Sequence, residues 1–137
     1  MHACINDVPQ ILELWEEAHQ LSENHAIPFS RARSQQSLES LICNPLCLVA
    51  YNGHGVLVAC ANPSLWHEGY DIADLLFYAR KGGLSLLREY LAWAKGFHGT
   101  NDISIGVSIG GEAAKRSDQL FQRLGFKQIG TQYKVTI

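Results

Sequence analysis

The chain has 137 residues, of which 47% are hydrophobic and 18% are charged. This length suits one domain with a substantial apolar core, so we expect a single domain over residues 1–137. The 11 Lys and Arg residues nearly balance the 13 Asp and Glu residues, and like charges form no blocks. The charge pattern therefore argues against a nucleic-acid partner and against a polybasic membrane anchor.

The sequence also lacks the patterns of membrane insertion and export. No apolar run approaches the length of a membrane span, and neither a basic segment nor an apolar segment follows Met1. We therefore expect a cytoplasmic protein without a membrane partner.

The four cysteines are Cys4, Cys43, Cys47 and Cys60, and no two of them form a CxxC pair. Three of them lie in or beside apolar runs. This placement predicts buried, reduced thiols, and we expect no metal site.

Helical and extended patterns alternate in the N-terminal half. Residues 2–5 are expected to form a short edge strand. Apolar residues then recur at helical spacing and predict a first amphipathic helix: Val8, Ile11, Leu12, Trp15 and Ala18. Glu13, Glu16 and Glu17 are expected to face outward from this helix. A polar break over residues 23–30 precedes a weaker helical pattern over residues 31–42.

A hairpin and a third strand are predicted next. Residues 47–51 and 56–61 are apolar and β-prone, and the sequence Asn-Gly-His-Gly at 52–55 is typical of a hairpin turn. A loop over residues 62–70 follows, and residues 72–79 predict a further strand.

The most informative stretch is the junction between that strand and the next helix. Arg80 and Lys81 stand before Gly82 and Gly83, directly at the expected helix start. The first N–H groups of a helix lack internal acceptors and lie at the positive end of its dipole, so they can bind a phosphate. The same residues would also suit a plain tight turn with a solvated basic pair. Neither GxxxxGK[ST] nor GxGxxG occurs here.

The C-terminal half predicts one crossover and a closing strand pair. The helix after the turn ends near Gly96, and a strand over residues 103–107 should lie parallel to strand 72–79. A last helix over residues 112–124 precedes two short strands, at 126–129 and 132–137.

These elements, in this order, resemble the GNAT superfamily of acyl-CoA-dependent N-acetyltransferases across nearly the whole chain. The run RKGGLS, residues 80–85, is similar to that superfamily's pyrophosphate motif, [Q/R]xxGx[G/A]. A second register would place residues 78–83 over the motif. The run RLGF at 123–126 resembles the segment after the fourth helix of the superfamily. The run IGVSIG at 105–110 and the closing GTQY at 130–133 are similar to compact phage and prophage members.

The resemblance implies an α+β fold, with a mostly antiparallel mixed sheet of six to seven strands, one parallel pair and about four helices. It implies acetyl-CoA as the acyl donor, a small-molecule or peptide amine as acceptor, and a homodimer that pairs through residues 132–137. It assigns cofactor contacts to the strand before the turn, to the turn itself and to one residue of the last helix: Leu76, Phe77, Tyr78, Arg80, Lys81, Gly82, Gly83, Leu84, Ser85 and Phe121.

Acetyl transfer needs a base, because an alkyl amine is mostly protonated at neutral pH. His67 and Glu68 are the first candidates, with Asp71 and Asp74 after them. A His-Glu pair on a loop also suits an ordinary solvated surface.

The acid that many relatives use is a Tyr, and Phe121 stands at its position. Tyr133 or Tyr78 would substitute for it, although Tyr133 also suits the core of a final strand. A thiolate also leaves without an acid, because its pKa is low.

Three functions are compatible with these residues. The first is an N-acetyltransferase. The second is a GNAT-fold protein that binds acyl-CoA without turnover or serves only as an interaction module. The third is a nucleotide-phosphate binder outside the superfamily.

Overall fold

The computed structural model describes residues 1–22, 24–100, 102–106, 111–130, 133, 135 and 137, with the side chains of residues 111–113 left out. A 3-10 helix over Ile5–Asp7 precedes the first α-helix. Eight further elements follow in chain order: α1 Val8–Leu21, α2 Arg31–Cys43, β1 Cys47–Tyr51, β2 Gly55–Pro63, β3 Tyr70–Ala79, α3 Gly83–Lys95, β4 Ile103–Ser104 and α4 Gly111–Arg123. All four predicted helices are confirmed. Among the described residues, no helix combines the length and the apolar character that crossing a membrane requires.

Local sequence accounts for the starts of the first two helices. Pro9 lies in the first turn of α1, where its missing N–H costs nothing. The Ser30 hydroxyl caps α2 by accepting a hydrogen bond from the Arg33 backbone N–H at 3.2 Å. The buried face of α1 includes Leu14, whereas Trp15 is only half-buried, so this face is turned slightly from the predicted one.

The sheet has the strand order β1-β2-β3-β4. The first three strands are antiparallel, with Cys47 opposite Cys60 and Gly55 opposite Ala79. β4 pairs with β3 in parallel, and α3 makes the crossover between them. The mixed sheet and its parallel pair are therefore as expected.

The predicted number of six to seven strands is wrong for the described residues, which form four. At the N-terminus a single bridge joins His2 to Ala50, with the Ala3 N–H donating to the Val49 carbonyl at 2.8 Å and the Tyr51 N–H donating to the Met1 carbonyl at 2.9 Å. The chain then turns into the 3-10 helix because the Cys4 N–H donates to the Asp7 carboxylate at 2.8 Å. The predicted strand 103–107 ends at Ser104, and residue 107 lies outside the described residues.

The two closing strands are also missing from the described residues. Residues 126–129 are not extended partners of any strand, because the Phe126 N–H is engaged at the end of α4. It donates to the Phe121 carbonyl at 3.0 Å, across Gly125 at φ 90°. Residues 133, 135 and 137 are likewise outside any strand, and the rest of segment 131–137 is not described.

The sheet separates two apolar cores, one under each helix pair. Alternation along β2 divides its side chains between them. One core lies beneath α3 and α4 and includes these buried residues: Leu48, Ala50, Leu57, Ala59, Ala61, Ile72, Leu86, Leu87, Tyr90, Ala94 and Phe121. The other lies beneath α1 and α2: Val8, Ile11, Leu12, Leu14, Leu38, Val49, Val56 and Val58. We call these two sides the α3/α4 face and the α1/α2 face.

The prediction of buried thiols is wrong, although all four cysteines are reduced. Cys4 and Cys43 are exposed, because they lie beside the 3-10 helix and at the last position of α2. Cys47 and Cys60 are half-buried, since they lie near the ends of β1 and β2 at the margin of the core.

Candidate cofactor-binding and catalytic site

The turn between β3 and α3 is built around two glycines. Gly82 precedes the helix at φ 74° and ψ 22°, a left-handed conformation that only glycine adopts without strain. Gly83 is the first residue of α3. The Arg80 N–H donates to the His54 carbonyl at 2.9 Å, so strand pairing stops just before the helix begins. The first N–H groups of α3 are thus presented at a short, glycine-lined turn.

Asn52, in the β1–β2 turn, holds this turn in place. Its side-chain NH2 donates to the Gly82 carbonyl at 3.0 Å and to the Ser85 hydroxyl at 3.2 Å. The Ser85 hydroxyl also donates to the Gly82 carbonyl at 2.8 Å. A Cβ on Gly82 would lie 2.8 Å from the Asn52 nitrogen. Sequence reasoning assigned Asn52 only to its own hairpin and missed this contact.

The two basic residues of the turn differ in their surroundings. Lys81 is exposed beside the glycines. Arg80 is directed toward α1, where its guanidinium donates to both oxygens of the Glu17 carboxylate, Nε to Oε2 at 3.1 Å and Nη2 to Oε1. The structure therefore leaves Lys81 as the cation beside the turn and pairs Arg80 with a residue that was expected to face solvent.

Tyr78 completes a cluster with Glu17 and Arg80 on the α1/α2 face. Its hydroxyl donates to Glu17 Oε2 at 2.9 Å. The hydrogen bond from Arg80, followed by that from Tyr78, lowers the pKa of Glu17. Burial and the Glu17 hydrogen bond raise the pKa of Tyr78, so its hydroxyl keeps its proton. Sequence reasoning did not connect Glu17 with the site, because the two segments are far apart in the chain.

β3 diverges from β4 beside a bulge. Val58 lies opposite Leu76, and Ala59 lies opposite Asp74, so Leu75 is an extra residue in β3. β4 pairs only with Ile72 and Ala73. Within the described part of the chain, the remainder of β3 therefore has a strand partner on one edge only.

The open edge of β3 presents backbone N–H groups. Arg80 and His54 are a hydrogen-bonded pair, so alternate residues of β3 direct their N–H groups to β2. The Phe77 N–H consequently points toward the open edge. This part of the strand, residues 76–78, is where the resemblance assigns cofactor contacts.

Two polar side chains lie where β3 and β4 separate. The Asp74 carboxylate accepts a hydrogen bond from the Gly106 N–H at 2.8 Å. Burial raises the pKa of Asp74, and the bond from Gly106 opposes part of that rise. The Tyr90 hydroxyl donates to the Ser104 carbonyl at 2.6 Å, and burial together with the Asp74 charge raises the pKa of Tyr90. Asp74 is thus a half-buried carboxyl group with a raised proton affinity.

The loop candidates His67 and Glu68 differ in their contacts. His67 Nδ1 accepts from the Gly69 N–H at 3.0 Å, which places the imidazole proton of the neutral ring on Nε2. That Nε2 lies 3.4 Å from Asp71 Oδ1. Glu68 is exposed. The structure therefore brings His67 and Asp71 together.

The two aromatic candidates have opposite environments. Phe121 is 7% exposed, with its ring centroid 6.0 Å from that of Phe77 and 5.9 Å from that of Phe126. Tyr133 is 93% exposed and is not a core residue.

Two further predicted cofactor contacts lie at the glycine turn. Leu84 lies in the first turn of α3. The Phe77 ring packs against the turn, since a Cβ on Gly83 would lie 3.2 Å from Phe77 Cζ.

The candidate site lies along one edge of the sheet. It begins at the start of α3, passes Phe77 and the open edge of β3, and ends at Asp74. This arrangement combines the N–H groups of a helix start, an apolar side chain and, at its far end, a carboxyl group. Among the described residues, no group of three or more His, Cys, Asp or Glu side chains is placed to hold a metal ion.

Three solved structures are similar to this chain over nearly its whole length. A probable acetyltransferase has a TM-score of 0.75 at 13% sequence identity, covering 100% of this chain and 96% of that one. A possible acetyltransferase from Clostridium difficile 630 has a TM-score of 0.70 at 13% identity, with coverages of 100% and 95%. An aminoglycoside acetyltransferase from an uncultured soil metagenomic sample has a TM-score of 0.69 at 13% identity, with coverages of 100% and 96%.

No protein-family model matches the chain, and no curated protein matches it in sequence. At such low identities the structural likeness establishes the fold and nothing finer. The chain has the α+β fold of GNAT-type acetyltransferases.

Proposed function

We propose that this protein is an acyl-CoA-dependent N-acetyltransferase that transfers acetyl from acetyl-CoA to a primary amine. The observation that carries the proposal is the β3–α3 turn, with left-handed Gly82 at the start of a helix and the open edge of β3 leading away from it. Helix N–H groups and the Lys81 charge are suited to a pyrophosphate. The fold shared with acetyltransferases supports the same assignment.

In the proposed reaction, a neutral amine attacks the thioester carbonyl carbon. The Phe77 N–H, at the open edge of β3, stabilises the oxyanion that forms on the carbonyl oxygen. The C–S bond then breaks, the CoA thiolate leaves, and the amide product retains the acetyl group. One proton passes from the amine nitrogen to a base and finally to the thiolate or to water.

The geometry ranks the candidate bases. His67 Nδ1 already accepts a hydrogen bond and its Nε2 faces Asp71, so the imidazole offers no vacant lone pair in this arrangement. The Glu68 carboxylate is exposed and available to an acceptor or a water. Burial raises the pKa of Asp74, which makes its carboxylate a stronger base than an exposed one, and Asp74 lies where β3 and β4 diverge. We therefore propose Asp74 or Glu68 as the base, with His67 after them.

Charge reversal at the turn tests the cofactor assignment. Lys81→Glu should weaken acetyl-CoA binding about tenfold or more, because a phosphate would lose a cation and face an anion. Lys95→Glu is the matched control, since Lys95 is an exposed lysine at the other end of α3. Titration calorimetry with acetyl-CoA measures both variants. Equal affinities for wild type and Lys81→Glu would contradict the proposed turn.

Turnover is tested by thiol release from acetyl-CoA across amines, amino acids, polyamines, peptides and aminoglycosides. Aminoglycosides are included because one protein of the same fold is an aminoglycoside acetyltransferase. Binding of acetyl-CoA without thiol release for any acceptor would instead indicate a non-catalytic acyl-CoA binder.

The finer expectations remain proposals. They are a single domain over residues 1–137, a cytoplasmic location, no nucleic-acid or membrane partner, and a likeness to compact phage-encoded members. Proposed cofactor contacts beyond the turn are Leu76 and Phe121, and Tyr133 or Tyr78 remains a proposed acid. Because the Tyr78 hydroxyl donates to Glu17, Tyr133 is the less constrained of the two.

A further inference from the structure

A pair of cysteines lies outside the proposed site, on the hairpin formed by β1 and β2. Cys47 and Cys60 are directly opposite each other, and their sulfurs are 2.9 Å apart. The other two cysteines, Cys4 and Cys43, are exposed and have no place in the sheet.

The backbone around this pair has the geometry that a cross-strand disulfide requires. The Ala61 N–H donates to the Leu46 carbonyl at 2.8 Å, which makes the neighbouring pair, Cys47 with Cys60, a non-hydrogen-bonded pair. At such positions the Cα atoms are about 4.5 Å apart, within the range of about 4.4–6.8 Å found for disulfides. The sulfurs need to approach by only about 1 Å to reach bonding distance.

We propose that Cys47 and Cys60 are a reversible thiol–disulfide pair that closes when the protein meets a low-molecular-weight disulfide such as oxidised glutathione. This modification site does not depend on the proposed acetyltransferase activity. Both residues are half-buried rather than enclosed, so a small oxidant can reach the pair.

The reaction proceeds through two exchanges. The Cys47 thiolate attacks the small disulfide, forms a mixed disulfide and releases one small thiolate. The Cys60 sulfur, having lost its proton, then attacks Cys47 Sγ, forms the cystine and releases the second small thiolate. The two cysteine protons pass to the two released thiolates. Two protein thiols are oxidised, and one small disulfide is reduced to two thiols.

The order of attack follows from the environment of Cys60. Burial, and then the contact with Cys47, raise the pKa of Cys60 to about 12. Cys60 therefore keeps its proton while Cys47 is reduced, and Cys47 makes the first attack. Formation of the mixed disulfide removes the Cys47 hydrogen bond and charge, which leaves burial alone to oppose ionisation of Cys60.

The expected consequence is a more stable hairpin. Asn52 ties the turn of the hairpin to α3, whereas the cystine would join its other end. A bond that closes a short loop restricts the unfolded chain and should raise the melting temperature by about 5–15 °C.

The test equilibrates the full, reduced chain with glutathione buffers of increasing oxidised fraction, followed by acid quenching. The Cys47 and Cys60 thiols should be lost together, with a decrease of two hydrogens in the summed mass of their peptides, whatever glutathione the exposed Cys4 and Cys43 add. A non-reducing peptide map should join the peptides that contain Cys47 and Cys60. The double variant Cys4→Ser/Cys43→Ser should keep this transition, and Cys60→Ser should abolish it.

Three outcomes would overturn the proposal. They are retention of all four thiols in the most oxidising buffer, separate glutathione adducts on Cys47 and Cys60, or a link that includes Cys4 or Cys43. The mass and peptide map of the wild-type protein distinguish these outcomes. The test therefore does not depend on whether the variants fold. Adding dithiothreitol should restore four thiols, and a bond that dithiothreitol does not reverse would exclude a reversible pair.

Discussion

The Glu17 side chain has a different environment from the one that its position in the helical pattern predicts. Helical spacing directs it outward, yet its carboxylate accepts hydrogen bonds from both Arg80 and Tyr78. The Arg80 and Glu17 side chains are 49% and 38% exposed, so solvent screens their attraction. The cluster therefore connects α1 to the end of β3 without forming a buried ion pair.

Glu17→Gln should lower the melting temperature slightly at neutral pH and have no effect in acid. The folded-state pKa of Glu17 lies below its ordinary value, so the stabilisation is present above the unfolded-state pKa and is lost as pH falls through the folded-state pKa. Thermal unfolding from pH 3 to pH 7 measures the difference between wild type and variant. Glu16→Gln is the control, because Glu16 has one longer contact, 3.7 Å to Arg31. A difference that grows toward acid would contradict this sign.

Phe121→Tyr should destabilise the fold by about 1–3 kcal/mol without raising turnover. Phe121 is packed between Phe77 and Phe126 on the α3/α4 face, and an added hydroxyl would be buried among aromatic rings. Phe29→Tyr is the matched control, because Phe29 is only half-buried. Urea unfolding and acetyl-CoA turnover should be measured on the same preparations. Faster turnover with unchanged stability would contradict this prediction, because it would show that the added hydroxyl reaches the leaving thiolate and is not buried among the rings.

At the scale of elements, the proposed site depends on contacts between turns. The β1–β2 turn holds the β3–α3 turn through Asn52, and the loop before β3 is packed against the turn that follows α3. In the second contact, Gly69 is buried, and a Cβ on it would lie 2.0 Å from the Gly99 carbonyl oxygen. Such an approach of two backbones is open to glycine alone.

Gly69→Ala should therefore destabilise the protein by about 1–3 kcal/mol or more, because the clashing atoms belong to backbone and one of the turns must move. Gly130→Ala is the control, since a Cβ there would have no atom within 4 Å. Equilibrium urea unfolding compares the two variants. Equal stability losses would show that the loop carrying His67 and Glu68 moves away from Gly99 without cost.

At the scale of the whole molecule, the polar and aromatic residues of the candidate site lie on opposite sides of the sheet. The Glu17 cluster lies on the α1/α2 face, whereas Phe121 and Asp74 lie on the α3/α4 face. The open edge of β3 is the boundary between them. A ligand held there would contact residues from both halves of the chain.

The homodimer stays a prediction. In the expected pairing segment, Tyr133, Val135 and Ile137 are exposed by 93%, 80% and 115%, and they alternate as the apolar side of a strand would. Multi-angle light scattering should give twice the monomer mass, and the double variant Val135→Lys/Ile137→Lys should give the monomer mass. Lysines at exposed Gln119 and Gln122 are the control. A monomer at all concentrations of the wild type would contradict the prediction.

The sequence by itself determined the local features of this protein. The four helices, the hairpin, the parallel crossover and the glycine turn before α3 were predictable, because apolar periodicity, caps and turn residues act over a few neighbouring positions. The fold class was implied by the resemblance that the order of these elements and the short motifs carry. The described residues form fewer strands than predicted, because the chain enters a 3-10 helix after residue 4 and the Phe126 N–H is engaged at the end of α4.

Only the tertiary structure decided which distant side chains meet. Arg80 was expected at a phosphate and is bound to Glu17, and Asn52 was expected to serve its own turn but also holds Gly82. Asp74 was a minor candidate until the bulge at Leu75 and the short β4 placed it at an open edge. These contacts depend on strand register and on how helices cross the sheet. Both are set by packing across the whole core, which no local pattern in the sequence records.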